Sequence, residues 1–443
     1  MKKRTVKILT VIAIVIVLLG VVYAIMVCIS SVKLNRAYAD LRKDSRPTQQ
    51  WQVIPPKVPD TENAALLYEC AIKLLKAQPS PEKDLPYYLG DLSKTFIEES
   101  LDADKLTELK QLIGQDVITL ALSIVEQGTQ RESCRFNLDY DDGLYTLLPH
   151  IPDLRNLARI FCAKIYLEAE NGNSDTAWEM FKTYLKFADA LRTEPIIISQ
   201  LVRIAMVKLS CDTIMKLCEI APPSTQQATD IQSLLKDFVD IRPLVISIDA
   251  ERMLIGEWFF NLPKREILTQ EQGDFFSDDW PDHIFQILRI YFKPTLLSDR
   301  ELYLRFMHEA ARFIENPSSR KQLDVLEEEI EKKRHSITSM LIVSIIRIKQ
   351  IHREMIVKLS IAQTGLALLQ YKQANNAFPA TLEALKLPNI NDPYTDGPLI
   401  YKNEGEDFIL YSVGPDKKDN NGIPRQGKQE EDWDIVWHFS NKR

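Results

Sequence analysis

Asp416, Asp419, Asn420, Asn421, Asp432 and Asp434 gather side-chain oxygens around a turn at Gly422. Calcium takes about six to eight hard oxygen ligands, so this stretch is the strongest candidate for metal chemistry in the chain. The plainer alternative is a solvated acidic turn that holds no ion.

Other constellations carry less. His308-Glu309 opens like the zinc-protease H-E-x-x-H, but Arg312 stands where the second histidine is needed, so a helical surface is expected. Asp139-Tyr140-Asp141-Asp142 and Asp278-Asp279 supply the two carboxylates that a glycoside hydrolase requires, one acid and one base or nucleophile. That reading needs Asp141 and Asp278 to meet across one cleft, and two acidic loops in an acidic protein more often face water. There is no G-x-S-x-G elbow, no P-loop and no dinucleotide fingerprint, and 14 glycines leave little material for such loops. No C-x-x-C occurs. Cys70, Cys162, Cys211 and Cys218 fall within apolar helical patterns, where a cysteine packs as a small hydrophobe.

The element that must position all of these is the run Ile8 to Ile29, which contains no charge. As a helix it is roughly 33 Å long at 1.5 Å per residue, enough for the roughly 30 Å hydrocarbon core of a bilayer. A cleaved signal peptide has a shorter apolar core, and the residues before Cys28 are not the small ones that precede a lipidated cysteine. Lys2, Lys3, Arg4 and Lys7 form a basic cluster undiluted by acids ahead of the run. Although Lys33, Arg36, Arg42, Lys43 and Arg46 follow it, the expectation is an N-terminus inside and the bulk of the chain outside the cytoplasm.

The remaining residues read as mostly helical. Residues 1–31 are the expected cytoplasmic tail and transmembrane anchor, and 32–59 a juxtamembrane helix with a linker punctuated by Pro47, Pro55, Pro56 and Pro59. Residues 60–317 read as a helical body. Its first helix is expected to start at a cap on Asp60 or Thr61, and an acidic, aromatic loop lies between Leu262 and Pro281. Leu154 to Leu191 reads as two antiparallel helices joined at Asn171-Gly172-Asn173, and Ala163, Tyr166, Gly172, Ala177 and Phe181 resemble one tetratricopeptide pair. A single long amphipathic helix is expected over 318–374. Its seam of Leu341, Ile345, Ile348, His352, Met355, Leu359, Ala362, Leu366 and Leu369 packs against another helix of the chain or against a second copy of it.

Residues 375–443 change character, with strand candidates at Leu399 to Lys402 and Phe408 to Ser412 set among Gly, Pro, Asn and Asp. The order Tyr371, Asn375, Asn376, Phe378-Pro379, Asp392-Pro393-Tyr394, Gly397-Pro398-Leu399-Ile400-Tyr401, Phe408 to Gly414 and Asp432-Trp433-Asp434-Ile435 resembles the globular part of the major pseudopilin of type II secretion systems. The resemblance implies a small α+β module, a long helix packed on a small sheet, and a calcium-binding C-terminal loop. Carried across, Asp432 and Asp434 match the family's D-x-D, while Asp416 and Asp419 lie in the equivalent loop. The family's basic leader, cleaved glycine and early membrane glutamate are missing, and the module sits at the opposite end of the chain, so assembly into a pilus is not implied. The layout as a whole resembles single-pass envelope proteins of environmental bacteria, a likeness that supplies no activity.

A net charge of −7 and no basic stripe argue against nucleic acid as a partner. The expectation is therefore a non-enzymatic, membrane-anchored scaffold of the bacterial inner membrane. It would contact lipid through its N-terminal helix, bind a protein partner on its helical body, and carry a calcium-stabilised C-terminal module. An envelope hydrolase acting on sugar or peptide polymers is the alternative.

Overall fold

The computed structural model describes residues 2–80, 84–98, 101–264, 290–316, 320–333, 336–342, 345–387, 391–395, 397–425 and 433–440. The chain is mostly helical and divides into two units, each assembled from separated segments. The first comprises Met1–Ile54, Asp139–Thr146 and Leu244–Ile345, and the second Pro55–Leu138, Leu147–Pro243 and Ile346–Arg443.

In the first unit, α1 (Lys2–Lys43) is one continuous helix rather than an anchor followed by a separate juxtamembrane helix. Its surface changes along its length. The large side chains of Ile8 to Ile29 are exposed, whereas Leu34, Ala37 and Leu41 are buried, Leu41 completely. The same helix thus carries an apolar surface of membrane length and then becomes part of a packed core. Many later labels follow in chain order: α2 (Ala64–Lys76), α3 (Leu85–Glu98), α4 (Ala103–Ile113), α5 (Asp116–Thr129), α6 (His150–Glu170), α7 (Ser174–Ala188), α8 (Ile197–Ile220), α9 (Thr225–Lys236), α10 (Arg242–Glu251) and α11 (Trp258–Asn261). They continue with α12 (Lys293–Glu315), α13 (Arg320–Lys332), α14 (Ile337–Leu341) and α15 (Ile345–Asn375). The core of the first unit lies where α12 packs on the buried part of α1 and on α13. Arg252–Glu257 forms a π-helical turn between α10 and α11, with Gly256 pressed on Tyr303: an added Cβ would lie 1.9 Å from the ring, so only glycine fits.

In the second unit, α6 is the central element, packed by α3, α7 and α8. Phe161, Phe181, Tyr184 and Phe187 are all at most 2% exposed, and the Tyr184 hydroxyl and Trp178 indole donate to the carbonyls of Met206 and Ala221, both at 2.9 Å. The α6–α7 hairpin turns where expected. Gly172 takes φ +83°, and its N–H and that of Asn173 bond back to the carbonyls of Ala169 and Glu168, satisfying two of the orphan carbonyls in the last turn of α6. The expected cap on α2 is displaced: Asn63, not Asp60 or Thr61, accepts from the Ala65 N–H at 3.1 Å, and it also exchanges two bonds with the Arg135 backbone. Those tertiary bonds favour Asn63 over a purely local cap. Of the four cysteines expected to be buried, Cys70 is instead exposed.

The expected single helix over 318–374 is interrupted. Ser336 has ψ 151° and caps α14, and Ile342 is extended at ψ 132°, so α13, α14 and α15 are separate. All nine seam residues are nevertheless buried within this one chain. The C-terminal sheet is antiparallel in the order β1 (Ile400–Glu404), β2 (Asp407–Ser412), β3 (Ile435–Phe439), with Tyr401 opposite Leu410 and Leu410 opposite Trp437. β3 adds a strand beyond the two expected ones. One face of the sheet lies on α15, where Trp437 fills the space beside Gly365.

Candidate functional site

The acidic loop between β2 and β3 brings three of the four candidate metal ligands together; Asp432 lies outside the described residues. Asp434 sits just before β3 and is 1% exposed. Its two carboxylate oxygens accept from the backbone N–H groups of Gly422 at 2.7 Å and Asn420 at 3.3 Å. Asp419 accepts from the Tyr411 hydroxyl at 3.0 Å and the Asn421 N–H at 2.8 Å. Asp416 accepts from the Lys418 N–H at 3.0 Å and the Asn420 side-chain amide at 3.2 Å. Lys417, Asn421 and Gly422 adopt φ of 60°, 61° and 82°, which curl the backbone around these carboxylates.

Burial raises the Asp434 carboxyl above its usual range, and the charges of Asp419 and Asp416 add to the shift; the two backbone donors work against it. A cation is also at hand, because Lys402 stands over the Tyr411 ring at 5.2 Å and donates to the Asn421 carbonyl at 3.2 Å. Among the described residues no three His, Cys, Asp or Glu side chains are already arranged as a metal cage. As folded, the loop satisfies its carboxylates with N–H and O–H donors.

The remaining sequence candidates separate. His308 pairs with Asp44 at 2.9 Å, and Glu309 with Arg312 at 2.9 Å. These pairs line an open groove of about 610 Å3 in the first unit, together with Arg305 and Lys321. The would-be zinc motif is therefore ion-paired, and His308 is buried at 7% exposure rather than lying on the expected helical surface. Asp139 caps a short 3-10 turn by accepting from the Asp141 N–H at 3.1 Å, and Asp278 and Asp279 lie outside the described residues.

Two polar clusters carried no sequence signal, because their members are far apart in the chain. In the second unit, buried Glu194 accepts from Ser199 and pairs with His150 at 2.9 Å, while Phe136 stacks on the imidazole at 4.1 Å. The serine addresses the carboxylate and not the imidazole, so the trio lacks the nucleophile–base pair of a hydrolase. In the first unit, Arg252 is fully buried beside Asp249 at 3.1 Å, and Arg46 reaches the same carboxylate at 3.2 Å. Glu257 accepts from Tyr38 at 2.8 Å and pairs with Arg300. These are buried pairs with complementary partners, an arrangement that orients helices rather than presenting a reactive group.

No family model, curated protein or solved structure matches this chain.

Proposed function

We propose that the chain is a non-enzymatic scaffold of the bacterial cell envelope, held in the inner membrane by α1 with its bulk on the extracytoplasmic side. The observation that carries the reading is the change of surface along α1, from exposed and apolar over Ile8 to Ile29 to buried at Leu41. An apolar surface of that size and length is stable in lipid and not in water. The helical body offers antiparallel hairpins as a surface for a protein partner. The full-length chain expressed in bacteria should stay in the membrane pellet through alkaline carbonate extraction, and a chain starting after residue 31 should be released. A full-length chain found in the supernatant sinks the proposal.

The C-terminal module deepens it. A three-stranded sheet lies on a long helix, with the oxygen-rich loop between its second and third strands, and this supports reading the module as pseudopilin-like. The donor set fits a hard cation: Asp434 is buried beside Asp416 and Asp419, and a calcium ion held by these acids with Asp432 would offset their mutual repulsion. Its role would be to stiffen the loop. Calcium at ten times its Kd should stabilise the detergent-solubilised chain by about 1.4 kcal/mol. The rise in Tm should disappear on adding chelator and be absent from the D432N/D434N double variant. An unchanged Tm removes calcium from the proposal and leaves the anchor standing.

A further inference from the structure

In the first unit, α12 runs in the same direction as α1. Moving along α1, the Tyr23 ring meets Phe292 at 5.5 Å, the Arg300 guanidinium lies 5.9 Å from the Tyr38 ring, Asp44 pairs with His308, and Arg46 reaches Glu315. The residues at the start of α12 therefore lie at the level of Tyr23. That level is within the charge-free run: Tyr23 precedes Ile29 by roughly 9 Å of helix and follows Lys7 by roughly 24 Å.

At this level two large aromatic side chains face outward. Tyr291 is 53% exposed and Phe292 38% exposed, beside Tyr23, itself 41% exposed. Cations border them. Lys264 stands 5.4 Å from the Tyr291 ring centre and donates to the Tyr291 carbonyl at 3.4 Å, and Lys293 follows directly in sequence. Exposed aromatics bordered by lysines, continuous with a helix of membrane length, match the acyl–headgroup boundary: the rings bury among the upper methylenes while ammonium groups reach the phosphates.

We infer that Tyr291 and Phe292 form a second membrane contact, with their rings among the upper acyl methylenes just below the headgroups of the bilayer that α1 spans. The inference rests on α1 being the membrane anchor. It gives the first unit two attachments to one bilayer surface, which restricts rotation of that unit about α1 in a way a single helix does not.

The test places the photoreactive residue p-benzoylphenylalanine singly at Leu18, Tyr291, Phe292 and Val325 of the full-length chain. Val325 is the water-facing control, 65% exposed on α13. Each variant is reconstituted in vesicles of phosphatidylethanolamine and phosphatidylglycerol with tritiated acyl chains, and its Tm is checked against the parent. Labelling at Tyr291 and Phe292 about ten-fold above Val325 supports the contact. Labelling at Leu18 with none at Tyr291 and Phe292 overturns the inference while leaving the anchor intact. Absence of label at Leu18 overturns both, and equal labelling at Val325 overturns a contact confined to this level.

Discussion

Trp437→Ala is expected to cost about 3–5 kcal/mol, the ordinary range for deleting a fully buried large aromatic side chain. Trp437 is 2% exposed and packs edge-on to Phe408 at 5.5 Å and Phe439 at 6.4 Å between ring centres. Its ring occupies the place beside Gly365 on α15 where a Cβ would stand 1.8 Å from ring carbon Cζ3. Gly365→Ala should therefore destabilise the parent chain even though alanine is the better helix former by about 1 kcal/mol. The two substitutions must couple. Once the indole is gone, the alanine methyl has room, its helix propensity is regained, and Gly365→Ala in the Trp437→Ala background should turn neutral or stabilising. Urea unfolding of the four proteins of this cycle measures the coupling directly. A Gly365→Ala change that is neutral in the parent chain would show that α15 does not lie on this face of the sheet.

The parts of this fold legible in the sequence are those set by local periodicity. The seam from Leu341 to Leu369 repeats at four and three residues, and every member is buried. The α6–α7 turn was legible because Asn171-Gly172-Asn173 offers a glycine where the chain needs positive φ. The apolar helix of membrane length needed only its length and absence of charge to be read. β3 is not legible although Ile435, Trp437 and Phe439 alternate inward, because five residues beside a polar loop become a strand only through their pairing with β2. The break around α14 has only the Ser336 cap as a local signal, since Ser336 to Ile342 carries no proline or glycine, and it is accompanied by tertiary bonds such as Thr338 donating to the Asp299 carbonyl at 2.7 Å. At the candidate metal loop the residue types were legible and their convergence was not. The link is Asn420, whose backbone N–H reaches Asp434 and whose side chain reaches Asp416. Buried pairs such as Tyr38 with Glu257 leave no trace in spacing at all.

His352 is the polar member of the seam, and its surroundings make it a source of acid sensitivity in the second unit. It is 8% exposed, and its Nε2 has no hydrogen-bond partner among the described residues. Burial, with the charges of Lys349 and Arg203 added, pushes the imidazole down from 6.5 to about 4. The unfolded chain then binds a proton that the folded one refuses. Stability on this account is full above pH 6.5 and falls as pH drops toward 4, by an upper limit of about 3 kcal/mol. Two acids act in the opposite sense: burial pushes Glu251 up to about 7, and Asp434 is raised, so the fold takes up protons there as pH falls. The net slope of the parent mixes these contributions, and only its difference from His352→Leu isolates the imidazole. That variant should match the parent or exceed it slightly at pH 7.5 and be more stable by about 2–3 kcal/mol at pH 4.5. Parallel curves for the two proteins would rule the imidazole out. One helical turn earlier, Lys349 is 9% exposed and is pushed down from 10.5 to about 8 by burial and by Arg353. Its charge therefore opposes folding below pH 8 and ceases to do so as pH rises toward 10.5. Lys349→Met should stabilise the chain by about 1–3 kcal/mol at pH 7, a gain that shrinks above pH 8, because a thioether fills the same buried space without a charge to desolvate.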